Sequence, residues 1–121
     1  MGLPTVFEKF EQATMYKLLE EDTAINRVLR EQYKYATVIN RDFTGVGFFT
    51  HLSIPSHIAT VKEPIAHGYG DVRFILNGGV GGGVVLFIEQ GVMTCLEGYS
   101  YTEWPEVITC FKLESFRDEA V

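Results

Sequence analysis

The chain has few basic residues, cysteines, histidines and prolines, and it lacks a long apolar run. Lys and Arg number 10 against 16 Asp and Glu over 121 residues, a formal net charge of -6 at pH 7. Attraction to phosphate needs a basic patch, so this balance argues against general binding to nucleic acid or to an anionic membrane surface, while it suits a basic partner. No stretch approaches the ~18 apolar residues of a membrane-spanning helix. The opening "MGLPTVFEKFEQ" lacks a basic segment followed by an apolar one, so a cytoplasmic protein is expected. Cys95 and Cys110 are the two cysteines. Both fall in apolar, strand-like contexts, where a free thiol behaves as a small hydrophobe, and both are expected reduced and buried. His51, His57 and His67 are spaced too irregularly for a compact ligand motif, so no metal site and no cofactor is expected.

What is present is ample core material. Hydrophobic residues make up 46% and aromatic residues 13% of the chain. A chain of this length buries about two-thirds of the surface its unfolded form exposes. No composition shift, repeat or linker divides it, so residues 1–121 are expected to form one domain.

The apolar positions Val6, Phe7, Phe10, Ala13 and Leu18 recur every three to four residues, predicting a first helix from Pro4 to about Leu19. Asp22 or Thr23 can cap a second helix, in which Ile25, Val28, Leu29, Gln32, Tyr33 and Ala36 form one stripe. After Tyr35 the period changes to alternation. A strand to about Arg41 and a turn at "DFTG" precede a strand with Val46, Phe48, Thr50, Leu52 and Ile54 on one face and Gly47, Phe49, His51 and Ser53 on the other. "PSHIATVKEPIAHGYG" reads as a long connection and "DVRFIL" as the next strand. "VVLFIEQGVMTCLEG" reads as a hairpin with a three-residue loop, Glu89 to Gly91, placing Ile88 opposite Val92 and Leu86 opposite Thr94. Val85, Phe87, Met93 and Cys95 then share the other face. With both faces apolar, the hairpin should lie centrally and be covered on both sides. "VITCFKLESF" is the last candidate strand and "RDEAV" a polar tail. The class expected is α+β, two N-terminal helices packed on a mostly antiparallel sheet of five or six strands.

Two stretches invite a functional reading. "GGVGGGVVLFIEQG", residues 78 to 91, is rich in glycine, but a phosphate-binding loop needs a lysine and a hydroxyl residue after it, or a helix to follow. Here Val84 and Val85 follow, and they form strands. The glycines are better explained by a bulge, a bend or a close approach of other groups. "LEGYSYTEWPE", residues 96 to 106, gathers Tyr99, Tyr101 and Trp104 among Glu97, Glu103 and Glu106. Tyrosine and tryptophan are enriched in binding hot spots, and the carboxylates would select a basic protein. The competing reading is that these aromatics fold back over the sheet and extend the core. A second candidate site is a pocket between helices and sheet with His51, Arg73 and Glu97 as its polar groups, where His51 and Glu97 could act in acid-base chemistry if their strands are neighbours.

The segments "TGVGFFTHL", "GGGVVLFIEQG" and "LEGYSYTEWPE" give the chain, over about residues 35 to 106, a resemblance to a group of small bacterial proteins of uncharacterised function. Those proteins look alike in a "TGxGFFT" segment, a glycine-rich "LFIxxG" hairpin and a "LEGYxYxxxWP" ending. Here Thr102, Glu103 and Trp104 alone separate "LEGYSY" from Pro105, a slightly short version of that ending. The resemblance implies no catalytic residue. Size and acidity also resemble bacterial immunity proteins. The function expected is therefore a non-enzymatic protein-binding module, with an immunity protein masking a basic toxin as its specific form and Tyr99, Tyr101, Glu103, Trp104 and Glu106 as its surface. The alternatives are a small ligand-binding domain or enzyme, and a structural protein whose apolar hairpin is closed by a second copy in a homodimer.

Overall fold

A computed structural model describes residues 3–115; the polar tail and Phe116, placed above at the end of the last strand, lie outside them. Helix α1, Val6–Leu18, begins where Thr5 and Glu8 exchange hydrogen bonds, each side chain accepting from the other's backbone N–H at 3.0 Å. This capping box satisfies two amides that the first turn leaves without helical partners, which is why the helix starts two residues after Pro4. Helix α2, Ala24–Lys34, is capped by Thr23, whose hydroxyl accepts from the Asn26 amide at 3.0 Å. The buried side of α1 carries Phe10, Met15 and Leu18 but also Glu11 and Thr14, and that of α2 carries Leu29 with Asn26 and Gln32.

Six strands follow: β1 Thr37–Phe43, β2 Gly47–Ser53, β3 Gly68–Leu76, β4 Val80–Glu89, β5 Val92–Ser100 and β6 Phe111–Ser115. They form one sheet in the order β1-β2-β5-β4-β3-β6 with every pair antiparallel. The α+β architecture is therefore the expected one, with the β4–β5 hairpin at its centre. Residues 54–67 carry the chain between β2 and β3 without helix or strand. This connection is pinned to the β4–β5 turn, where the Val61 amide donates to the Gly91 carbonyl at 2.9 Å and the Gln32 side-chain amide donates to Ala59 and Gly91 carbonyls at 3.0 and 2.9 Å.

The glycine run is not a loop. The turn between β3 and β4 is made by Asn77 and Gly78, both at positive φ, and Gly81, Gly82 and Gly83 are paired inside β4. The side chains of opposing strands require them there. A Cβ on Gly82 would collide with the Phe74 ring and the Tyr99 carbonyl. Across the hairpin a Cβ on Gly98 would fall within the Phe48 ring. Two of the largest fully buried side chains thus occupy the space beside glycine backbone, and the core packs large against absent.

The hairpin register also differs from the expected one. The loop has two residues, Gln90 and Gly91, with φ of 52° and 77°, the pair of left-handed residues that a tight hairpin turn favours. Glu89 faces Val92 and Ile88 faces Met93, but Phe87 faces Cys95, so Thr94 is an extra residue in a bulge. The bulge turns Met93 to the helix side, where it is fully buried, and leaves Phe87 and Cys95 on the opposite side. Cys110 is a further correction: β6 starts at Phe111, four residues after the expected start at Val107, and Cys110 is exposed while Cys95 is buried.

The core lies between the helices and one sheet face. Phe10 of α1 meets Phe74 at 5.4 Å and Phe48 at 6.1 Å between ring centroids, with Leu29, Leu76, Leu86, Met93 and Leu96 around them. Glu11 is buried in this layer. It receives Arg41 on both carboxylate oxygens at 2.7 and 2.9 Å and is also hydrogen-bonded by the Thr50 hydroxyl. The pairing is local charge compensation for a carboxylate that burial would otherwise penalise, and it raises the pKa of Arg41 chiefly through the hydrogen bond to Glu11.

Candidate functional site

The sheet face turned away from the helices is the first candidate. Strand alternation and the observed register place Asp42, Phe49, His51, Cys95, Glu97, Tyr99, Val85, Phe87, Arg73 and Ile75 on it. No helix or strand among the described residues covers it. The long connection closes part of this face of the central hairpin, with the His67 ring 5.3 Å from that of Phe87, and Phe49, Ile75, Val85 and Phe87 stay half-buried. A solvated face of an antiparallel sheet normally carries polar residues.

The charges on this face are arranged locally. His51 Nε2 lies 3.0 Å from Asp42 Oδ2, and the Asn40 side-chain amide reaches both Asp42 oxygens at 3.3 Å. The His51 ring stacks on Phe49, 6.4 Å between centroids at 19°. Arg73 lies 3.8 Å from Glu114. Glu97 is paired in register with Phe49 on one side and Val85 on the other, an acidic group set among apolar ones. β2 and β5 are neighbours, as a His51–Glu97 pair requires, and the two stand two positions apart in register, but His51 is paired with Asp42 and Arg73 with Glu114, and β4 separates Glu97 from Arg73, so the three share a face without converging. Nor do they line a space between helices and sheet, as the second candidate site required, because the alternation of β2, β3 and β5 turns all three outward.

Cys95 lies directly across from His51, but its chemistry is that of an inert thiol. Burial, and then the negative charges of Glu97 and Asp42, push its pKa up to about 11, so the thiolate needed for nucleophilic attack or metal binding is scarce at neutral pH. Among the described residues no group of three or more His, Cys, Asp and Glu is placed to hold a metal ion.

The stretch from residue 96 to 106 is divided between two sides of the sheet. Tyr99, at the edge of exposure, lies over Gly83 on the open face, and its ring meets that of the exposed Tyr101 at 6.1 Å. Burial raises the pKa of Tyr99, with Tyr101 and Glu97 adding to the shift. Trp104 goes the other way. Its amide donates to the Gly45 carbonyl at 2.9 Å and its ring packs on Phe48 at 5.4 Å, Phe74 at 5.8 Å and Phe10 at 6.3 Å, so it closes the end of the core. For Trp104 the packing alternative is the observed one. Glu103 and Glu106 are exposed beside it.

The Trp104 ring also forms a wall of a second candidate, an open groove of about 520 Å³ between the start of α1, the β1–β2 turn and residues 104–108. Phe7, Phe43, Val107 and Ile108 line it with Trp104, and Glu106 stands at its side. Sequence reading passes over this groove, because it joins three segments far apart in the chain, with its aromatics at residues 7, 43 and 104. It likewise misses Asp42 as the partner of His51, since neither residue marks the other at a separation of nine positions.

No protein-family model matches the chain, nor does any curated protein or solved structure. Among the described residues no helix is long and apolar enough to cross a membrane.

Proposed function

We propose that this protein is a non-enzymatic binding module whose open sheet face receives a basic protein. The observation that supports it is the open face itself, in which Phe49, Val85, Phe87 and Tyr99 supply apolar contact and Glu97 and Asp42 supply negative charge. Half-exposed aromatic and aliphatic groups around a carboxylate are the composition of an interface centre that selects for a cationic partner. The acidity of the chain fits the immunity-protein form of this reading, in which the basic partner is a toxin.

The test is capture from a lysate of the cells the protein comes from, with the native chain, Glu97→Lys and Val85→Lys compared side by side. A basic protein retained by the native chain at low salt, released at high salt and lost with both variants is the expected result. Equal retention by all three overturns the assignment of this face. A second copy could also cover the same surface. Six strands about 4.8 Å apart and about seven residues long present a face of roughly 30 by 23 Å, close to the ~800 Å² per partner of a stable interface. Light scattering separates this reading from the first, since it requires a native dimer that Val85→Lys converts to a monomer.

A further inference from the structure

The groove at Trp104 lies on the helix side of the sheet and is independent of the face assigned above. Its lining joins three aromatic rings to one carboxylate. Phe7 and Phe43 meet edge to face at 5.2 Å and 68°, and Trp104 stands across from them with Val107 and Ile108. Phe43 is 57% and Val107 67% exposed, so apolar surface is open to solvent here. Among the described residues that line it, Glu106 alone carries a charge. Arg41, whose guanidinium lies 5.6 Å from the Phe7 centroid, is already balanced by its two-point pair with Glu11. At about 520 Å³ the groove falls within the ~300–1,000 Å³ range of small-molecule sites.

We propose that this groove binds a small amphiphilic alkylammonium ligand, with its apolar tail along Val107 and Ile108 and its cationic head among Phe7, Phe43, Trp104 and the Glu106 carboxylate. Aromatic faces attract a weakly hydrated cation through their quadrupole, and a carboxylate at the rim adds charge complementarity. An anionic amphiphile of the same tail meets the opposite field. A neutral one gains only burial of the tail.

Trp104 is the one tryptophan in the chain, so its fluorescence reports the groove directly. The experiment titrates the full chain with hexyltrimethylammonium, 1-hexanol and hexanoate. The expected result is a saturable shift in emission for hexyltrimethylammonium at an affinity about two- to fivefold better than for hexanol, with hexanoate weakest. Glu106→Gln, an exposed position that does not threaten folding, reduces the preference for the cation, and Phe43→Ser weakens hexyltrimethylammonium more than hexanol. Glu63→Gln, an exposed carboxylate of the connection between β2 and β3, leaves the titration unchanged. Absence of a saturable shift, equal affinity for the three probes, or a cation preference that neither Glu106→Gln nor Phe43→Ser diminishes overturns the proposal. Tighter binding of an apolar lysine-containing peptide than of the free amphiphile also overturns it, and reassigns the groove to a protein partner.

Discussion

Replacing Gln32 with methionine should destabilise the protein by about 2–4 kcal/mol, although the substitution keeps the side-chain length and adds hydrophobicity. Gln32 is fully buried, and both ends of its amide are used. Its Nε2 donates to the Ala59 carbonyl at 3.0 Å and the Gly91 carbonyl at 2.9 Å, while its Oε1 accepts from the Met93 amide at 2.9 Å. Loss of the amide has unequal consequences for the three partners. Gly91 keeps the Val61 amide at 2.9 Å, and Ala59 is exposed, so its carbonyl can turn to water. Met93 is fully buried beside the Thr94 bulge, and its amide would be left without an acceptor, which alone costs about 1–3 kcal/mol. The lost donor bonds supply the remainder. Against a total stability of about 5–15 kcal/mol this is a large fraction. Urea unfolding followed by Trp104 fluorescence measures it as a lower midpoint at unchanged slope. A loss below about 0.5 kcal/mol would refute the view that this side chain ties α2, the long connection and the hairpin together. Gln32→Glu adds a check on sign. One carboxylate oxygen can still accept from Met93, but the other faces two carbonyls unless it is protonated, so folding raises the pKa of that Glu above its unfolded value. The variant's deficit should therefore be smallest below the unfolded pKa of about 4.3 and grow as the pH rises. A deficit that shrinks toward neutral pH contradicts the geometry.

Three further outcomes follow from the packing. Gly98→Ala should cost about 1–3 kcal/mol, because the new Cβ must displace the buried Phe48 ring, and thermal denaturation would show it. Thr14→Val should leave stability unchanged or raise it by up to about 1 kcal/mol, since the fully buried Thr14 hydroxyl has no hydrogen-bond partner among the described residues; a marked loss in urea unfolding would mean that the hydroxyl is satisfied in solution. Thiol labelling at pH 8 should be biphasic, with the exposed Cys110 reacting fast and Cys95, buried and held up to about pKa 11, reacting slowly. Cys110→Ser should delete the fast phase only.

Much of this fold is written in short-range pattern. Thr5 followed by Glu8 marks the start of α1, and the stripe from Ile25 to Ala36 marks α2, because capping and helical periodicity depend on residues three or four apart. The alternation of Phe48, Thr50 and Leu52 with Phe49, His51 and Ser53 orients β2 correctly, and the apolar β4–β5 hairpin is central as its composition implies. The candidate surfaces were only half legible. Tyr99 and Tyr101 do lie on an open face, but Trp104, adjacent in sequence, turns into the core because Phe10, Phe48 and Phe74 leave room for it there.

Local sequence by itself determined the two helices, the existence of the strands, the α+β class and the acidic character. The tertiary structure alone decided the strand order, the placement of the glycine run inside β4, the bulge that sends Met93 to one face and Cys95 to the other, and the pairing of Glu11 with Arg41 and Thr50. The physical reason is separation. Caps and amphipathic periods are settled by neighbours within one turn, whereas a glycine is needed in β4 only because Phe74 and Tyr99 arrive beside it from other strands. Likewise a buried carboxylate is tolerated on α1 only because a strand 30 residues away brings it a guanidinium.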